Sequence, residues 1–162
     1  RAFQELLTEV IPGLDGGVIH LGDKRPTRHN VLQGGGRRLY VAGHLGDNVC
    51  DDDLVAFLIE ARRAGKTVAG YGAAAKGNTL LNFAGIRPDL LPLICDAAPA
   101  KQGKRMPGSH IPIVAPELLF STPADYVLIL PWNIADEVCK QMSSLTTKGC
   151  RFVTAVPSLE IR

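Results

Sequence analysis

Several patterns that would announce a function are missing from this chain of 162 residues. No apolar run approaches the roughly 20 residues that a helix needs to cross a bilayer. The formal net charge is only +2, which is too small to indicate nucleic acid or an anionic membrane surface as the main partner. We therefore expect neither nucleic acid nor a membrane among the partners of this protein.

Metal and nucleophile signatures are also missing. The four cysteines form no Cys-x-x-Cys pair, and the four histidines show no metal-ligand spacing with cysteine or carboxylate. We predict no metal site, and reduced thiols in a cytoplasmic protein. Neither a Walker A motif nor a Gly-x-Ser-x-Gly elbow is present, and we assign no catalytic residue.

The length and composition are those of a globular protein with about one domain. The chain opens at Arg1 without a methionine and without a signal peptide, so we expect a piece of a longer protein. Residues 1–50 have a helical pattern over 2–10 and short strand patterns over 18–21 and 38–42, with too few long periodic segments for a core. We interpret them as an N-terminal segment, the tail of a preceding domain.

Residues 51–162 alternate strand and helix patterns. Helices are predicted from residue 51 to a stop at Gly65, over 74–84, over 116–120 and from 134 onward. Strands are predicted at 67–71, 93–96, 111–114 and 126–130, and the last strand at 151–155. This alternation predicts an α/β domain, a Rossmann-like doubly wound parallel sheet with helices on both faces. Ligands of such sheets bind beyond the carboxyl ends of the strands, near the switch point.

A glycine-rich turn follows the first of these strands. Gly70, Gly72 and Ala75 fit G-x-G-x-x-G/A, and Lys76 adds a positive charge at the start of the next helix. Glycines let a phosphate approach the backbone, and the free N–H groups of a helix start point at it. The alternative is that any tight turn from strand to helix needs glycines. The nucleotide-binding residues predicted here are Gly70, Tyr71, Gly72, Ala73, Ala74, Lys76, Gly77, Asn78 and Thr79.

Two further features follow the second predicted strand. Asp96 ends that strand 26 residues after Gly70, where an acid that binds a ribose would fall, although it could equally cap the loop. Lys101, Lys104 and Arg105 lie in the next loop, over 97–110, and could clamp a diphosphate or be solvated surface charges.

Three more residues are candidates for ligand contacts. His110 could donate a hydrogen bond or act as a base, but could also simply support a turn. Trp132 could stack on a base and Asn133 could bind a polar edge, while packing of Trp132 is the alternative.

Residues 68–82, VAGYGAAAKGNTLLN, resemble the C-terminal domain of sugar C-methyltransferases. The resemblance continues in the family's order through Asp96 and residues 99–103, 107–113, 125–133 and 157–161. It covers the chain from about Asp53 onward, nearly two thirds of the sequence.

This resemblance implies a function as well as a fold. The family acts on nucleotide-linked deoxysugars with S-adenosylmethionine, and its fold is implied to have a zinc domain, an S-adenosylmethionine domain and this Rossmann-like domain. The zinc cysteines, the acidic-Gly-x-Gly-x-Gly motif and the catalytic segment of that family are missing here. We therefore expect S-adenosylmethionine to bind outside this chain, which alone would transfer no methyl group. Its implied role is to grip the nucleotide diphosphate of a sugar nucleotide and to close the cleft with the S-adenosylmethionine-binding domain of the same polypeptide.

Two alternatives remain open at the level of sequence. Gly70, Gly72, Ala75 and Asp96 also fit an NAD- or NADP-dependent oxidoreductase domain, although no residue is a candidate for hydride chemistry. A Rossmann-like module that binds no ligand and serves only in assembly is the other alternative.

Overall fold

The computed structural model describes residues 51–162, and the helix and strands predicted within residues 1–50 lie outside this part of the chain. The described residues form a mixed α/β structure around one six-stranded sheet. Within residues 51–162, every helix is too short or too polar to span a bilayer.

The sheet is mostly parallel. Its strands are β1 (Val68–Tyr71), β2 (Ile94–Cys95), β3 (Ile113–Val114), β4 (Tyr126–Ile129), β5 (Arg151–Thr154) and β6 (Glu160–Ile161). They lie side by side in the order β3-β2-β1-β4-β5-β6, with the first five parallel. Tyr71 at the end of β1 lies opposite Cys95 on one side and Ile129 on the other. The carboxyl ends of the three central strands therefore meet at one edge of the sheet.

The prediction was wrong at the far edge of the sheet. We expected a parallel sheet whose last strand is 151–155, but β6 follows β5 and pairs with it in the antiparallel direction. Arg162 extends this pairing, donating its N–H to the Phe152 carbonyl at 2.8 Å and accepting the Phe152 N–H at 3.0 Å. A strand of two residues is too short for the alternation of apolar and polar residues that identifies a strand in sequence.

The described part of the chain has six helical segments, of which the first precedes β1 and the others lie between strands. They are α1 (Asp51–Arg63), α2 (Ala75–Phe83), α3 (Glu117–Ser121), a 3₁₀ turn (Trp132–Ile134), α4 (Ala135–Gln141) and α5 (Ser143–Thr146). The predicted stop after α1 is confirmed, since Gly65 adopts a φ of +67°. The segment after β4 was predicted as one helix with Ile134, Val138 and Met142 on one face. The chain instead divides there, and Ile134 is 39% exposed while Val138 and Met142 are buried.

The core lies between the sheet and the helices packed on it. Leu54 and Leu58 of α1, Leu80 and Leu81 of α2, and Leu128 of β4 belong to one buried cluster. Each fully buried leucine contributes roughly 1.5–3 kcal/mol relative to an exposed one. This packing fixes α2 against the strands, and so fixes the turn that precedes α2.

A polar staple joins the amino ends of β1 and β4. The Asp125 carboxylate accepts hydrogen bonds from the Thr67 N–H and hydroxyl, both at 2.8 Å, and from Lys66 Nζ at 2.9 Å. Burial is the largest influence on the pKa of Asp125 and raises it, but the hydrogen bonds from Thr67 and Lys66 outweigh burial and lower the pKa overall. The staple lies at the end of the sheet opposite the glycine turn.

Candidate functional site

Gly72 forms the turn between β1 and α2. Its φ is +84°, and a Cβ atom built on it would lie 2.6 Å from Cδ of Pro131, the second residue after β4. The Gly72 N–H donates to the Cys95 carbonyl at 2.7 Å, which ties the turn to the end of β2. Only glycine combines this backbone conformation with so close an approach, so the turn predicted at this residue is confirmed.

The side chain of Asp96 holds the turn in place through hydrogen bonds. Its carboxylate accepts the Ala73 N–H at 2.6 Å, the Ala98 N–H at 2.8 Å and Lys101 Nζ at 3.0 Å. Lys101 also donates to the Ala73 carbonyl at 3.0 Å. These contacts match the loop-capping alternative for Asp96, because three donors already fill three of the roughly four lone-pair sites of the carboxylate that was considered for a ribose.

The carboxylate of Asp96 is held in its charged form. The residue is 7% exposed, and burial is the largest influence on its pKa and raises it. Hydrogen bonds from the Ala98 N–H, from Lys101 and from the Ala73 N–H outweigh burial, so the pKa of Asp96 lies below its ordinary value. The turn therefore rests on a permanently ionised group near neutral pH.

The loop predicted over residues 97–110 folds in its second half into a hairpin that runs to Ile113. The Gly103 N–H donates to the Ile113 carbonyl at 2.9 Å, and the Ile113 N–H donates to the Lys104 carbonyl at 2.8 Å. At the hairpin tip, Asn82 of α2 donates from Nδ2 to the Pro107 carbonyl at 2.9 Å. We call residues 103–113 the basic hairpin. It is tied to β3 at its base and to α2 at its tip.

A cleft of about 520 Å³ opens between the glycine turn, the start of α2 and the basic hairpin. Lys101, Lys104 and Arg105 all line it, and none of its lining residues is acidic. Apart from Asn78, apolar residues form the rest of its wall. The lining residues are Ala73, Ala74, Ala75, Asn78, Ala100, Lys101, Lys104, Arg105, Met106, Pro107 and Ile113.

The start of α2 offers donors to this cleft. Ala74 is the N-cap and provides no side-chain cap. The first helical hydrogen bond runs from the Asn78 N–H to the Ala74 carbonyl at 2.9 Å. Among the described residues, the N–H groups of Ala75, Lys76 and Gly77 have no hydrogen-bond partner. Of these three residues Ala75 lines the cleft, whereas Gly77 is buried.

Other predicted residues of this segment face away from the cleft or have packing contacts. Lys76 and Thr79 are exposed and do not line the cleft. A Cβ atom on Gly77 would lie 2.6 Å from Cβ of Leu130, and one on Gly70 would lie 2.7 Å from Cγ1 of Ile94. These two glycines therefore let α2 and β2 approach their neighbours closely.

The remaining predicted residues are not among the residues that line the cleft. Tyr71 ends β1, and burial is the main cause that raises its pKa, followed by the charge of Asp96. Trp132 packs against the core in the 3₁₀ turn, and Asn133 beside it is exposed. His110 has a φ of +59° at the tip of the basic hairpin and is exposed, which agrees with its turn-supporting alternative.

Sequence reasoning missed several contributors to the site. Asn82 was not predicted as a site residue, yet it fixes the hairpin tip to α2. Met106 and Pro107 line the cleft but carry no chemical signal that selects them. The Pro107-Gly108 pair is a turn signal and could have revealed the hairpin.

Comparison with known proteins places the described residues in a family. The profile of the C-methyltransferase C-terminal domain matches residues 47–157. The C-methyltransferase NovU of Streptomyces niveus is 42% identical over 93 residues, which make up 57% of this chain and 22% of NovU. The match thus spans less than a quarter of the length of that relative. Since the profile covers more than half of the chain, this protein belongs to the C-methyltransferase C-terminal domain family.

Proposed function

We propose that residues 51–162 are the C-terminal, substrate-side domain of an S-adenosylmethionine-dependent C-methyltransferase that acts on a nucleotide-linked deoxysugar. In this proposal the domain binds the nucleotide diphosphate and closes the cleft with the S-adenosylmethionine-binding domain of the same polypeptide. Residues 1–50 are then the tail of the preceding domain. Family membership and the similarity to NovU support the methyltransferase part of the proposal.

The positive charge of the cleft is the observation that best supports binding of a diphosphate. Three cationic side chains, Lys101, Lys104 and Arg105, line it without an acidic neighbour in the lining. The helix dipole and the open N–H groups at the start of α2 add positive potential on the same side. Charge-assisted hydrogen bonds to phosphate are shorter and roughly twice as strong as neutral ones. A diphosphate has the opposite charge and offers two phosphate groups to these cations.

The sheet topology supports a doubly wound, Rossmann-like arrangement. The chain proceeds outward from β1 through β2 to β3 and then returns to β4 on the other side of β1. This reversal makes β1 and β4 the switch point at which such folds bind nucleotides. In this chain Pro131 packs close to Gly72 at that point, and the cleft lies beside it, toward β2.

The contacts of Asp96 argue against S-adenosylmethionine as the ligand of this domain. In dinucleotide-binding Rossmann folds, a carboxylate at the end of the second strand binds the adenosine ribose. Asp96 holds that position, but the Ala73 N–H, the Ala98 N–H and Lys101 already fill three of its roughly four lone-pair sites. The methyl donor is therefore assigned to another part of the polypeptide, and this domain alone is proposed to be inactive. The same contacts speak against the NAD-binding alternative.

Calorimetric titration of the chain with a thymidine-diphosphate sugar, NADH and S-adenosylmethionine in parallel tests this function. The proposal predicts binding of the sugar nucleotide alone. Binding of NADH alone would replace it with a redox domain. Absence of binding to all three ligands would favour the module that serves only in assembly. Competition by thymidine diphosphate, but not by thymidine, would show that the phosphates supply the recognition.

A further inference from the structure

Four cationic side chains surround the glycine turn and the start of α2, and they are not equivalent. Lys76 is exposed and does not line the cleft. Lys101 lines the cleft, but its ammonium group is bonded to the Asp96 carboxylate and to the Ala73 carbonyl, both at 3.0 Å. Within the described residues, Lys104 and Arg105 form no ion pair. They are the two cations of the cleft whose charge is not already neutralised.

We infer that Lys104 and Arg105 of the basic hairpin contact the two phosphates of the ligand, whereas Lys101 holds the turn in place. This inference rests on the proposed function and specifies its binding residues. The turn supplies N–H groups from one wall of the cleft, and the hairpin supplies the mobile positive charges from the other wall.

The hairpin backbone is fixed while these two side chains are free to reach a ligand. The Lys104 carbonyl accepts the Ile113 N–H at 2.8 Å, and the Met106 N–H donates to the Ile111 carbonyl at 2.8 Å. The guanidinium of Arg105 makes one hydrogen bond, to the His110 carbonyl at 3.2 Å, which leaves most of its donors available. A fixed backbone lowers the entropy that is lost when the ligand binds.

The floor of the cleft strengthens these charges. Met106 is 3% exposed and Ile113 is 5% exposed, and both line the cleft below the cations. An apolar floor excludes water on one side, and electrostatic attraction grows as the local dielectric constant falls.

The test measures the affinity of thymidine diphosphate for the chain by calorimetry. Lys104→Gln and Arg105→Gln are each expected to weaken binding about tenfold, and the double variant about a hundredfold. The matched control is the double variant Arg63→Gln, Lys140→Gln, which removes the same charge from two exposed positions outside the cleft lining and should bind within about twofold of the unaltered chain. Melting temperatures should stay equal, because both hairpin side chains are exposed.

Lys101→Gln serves as the contrasting variant. It removes the bridge between Asp96 and Ala73, so it should lower the melting temperature as well as the affinity. An equally low melting temperature for Lys104→Gln would assign the hairpin lysine a merely structural role.

Three results would overturn the inference. If the unaltered chain binds and the hairpin double variant binds equally well, the phosphates lie elsewhere and only the proposed function survives. If the control double variant loses as much affinity, the effect is that of net charge. If the unaltered chain binds no thymidine diphosphate, the proposed function fails and the inference fails with it.

Discussion

Gly72→Ala is expected to destabilise the described domain by about 2–5 kcal/mol. The φ of +84° costs an alanine roughly 1–2 kcal/mol, because its Cβ atom crowds the following carbonyl. The new Cβ atom would also lie 2.6 Å from Pro131 Cδ and 2.8 Å from Pro131 Cγ. Relief of such overpacking requires a shift that costs roughly 1–3 kcal/mol. The range of about 2–5 kcal/mol is the sum of these two terms and neglects relaxation that serves both at once.

Gly149 provides a matched control for the backbone term. Its φ is +87°, and a Cβ atom there would have nothing within 4 Å. Gly149→Ala should therefore show the conformational cost of roughly 1–2 kcal/mol alone. The smaller entropy of the unfolded chain affects both variants equally and cancels in their difference.

Pro131→Ala provides the second control, because it removes the ring atoms that a Cβ on Gly72 would meet. The double variant Gly72→Ala, Pro131→Ala should be more stable than the sum of the two single effects predicts, by about 1–3 kcal/mol. The assay is urea denaturation at neutral pH, with equal slopes required for all variants. Additivity within about 0.5 kcal/mol, or equal losses for Gly72→Ala and Gly149→Ala, would refute the contact between the turn and Pro131.

Three further outcomes are expected. Ala74→Leu should abolish binding of a sugar nucleotide without unfolding the chain, because Ala74 lines the cleft at the start of α2; calorimetry and circular dichroism measure the two effects. Asp125→Asn should lower the free energy of unfolding near neutral pH, and its difference from the unaltered chain should shrink as the pH falls from about 5 through the lowered pKa of Asp125. Urea denaturation at a series of acidic pH values measures this difference. A difference that stays constant in acid would contradict the role assigned to the Asp125 carboxylate. Burial raises the pKa of Cys95 to about 12 and that of Cys150 to about 11. Iodoacetamide at pH 8 should therefore alkylate both thiols slowly unless urea is added, which mass spectrometry can follow. Rapid alkylation of the folded chain would show that the two thiols are accessible.

The parts of the fold that depend on neighbouring residues were predictable from the sequence. The apolar run of β4 and the helical spacing in α1 are local signals, and both elements were predicted within a few residues of their observed bounds. The Gly72 turn follows from a strand that ends in glycines before a helix. These features need no knowledge of what lies across the sheet.

The features that depend on distant contacts were not predictable. The hairpin tip is held by Asn82, 25 residues away from Pro107, and an asparagine in a helix carries no sign of such a partner. The carboxylate of Asp96 is occupied by Ala73, which lies 23 residues earlier. Sequence alone could therefore place an acid at the end of β2 but could not tell a ribose ligand from an anchor for the turn.

The attachment of the basic hairpin has a consequence for protein engineering. Gly103, Lys104 and Ile113 hold the hairpin on β3 through main-chain N–H and C=O groups, which every residue except proline provides. The side chains at Lys104 and Arg105 do not contribute to this attachment and are exposed. Positions 104 and 105 can therefore be randomised in a library at little cost in folding. The same scaffold could be reselected for ligands of other charge, with Asp96 and Gly72 left unaltered.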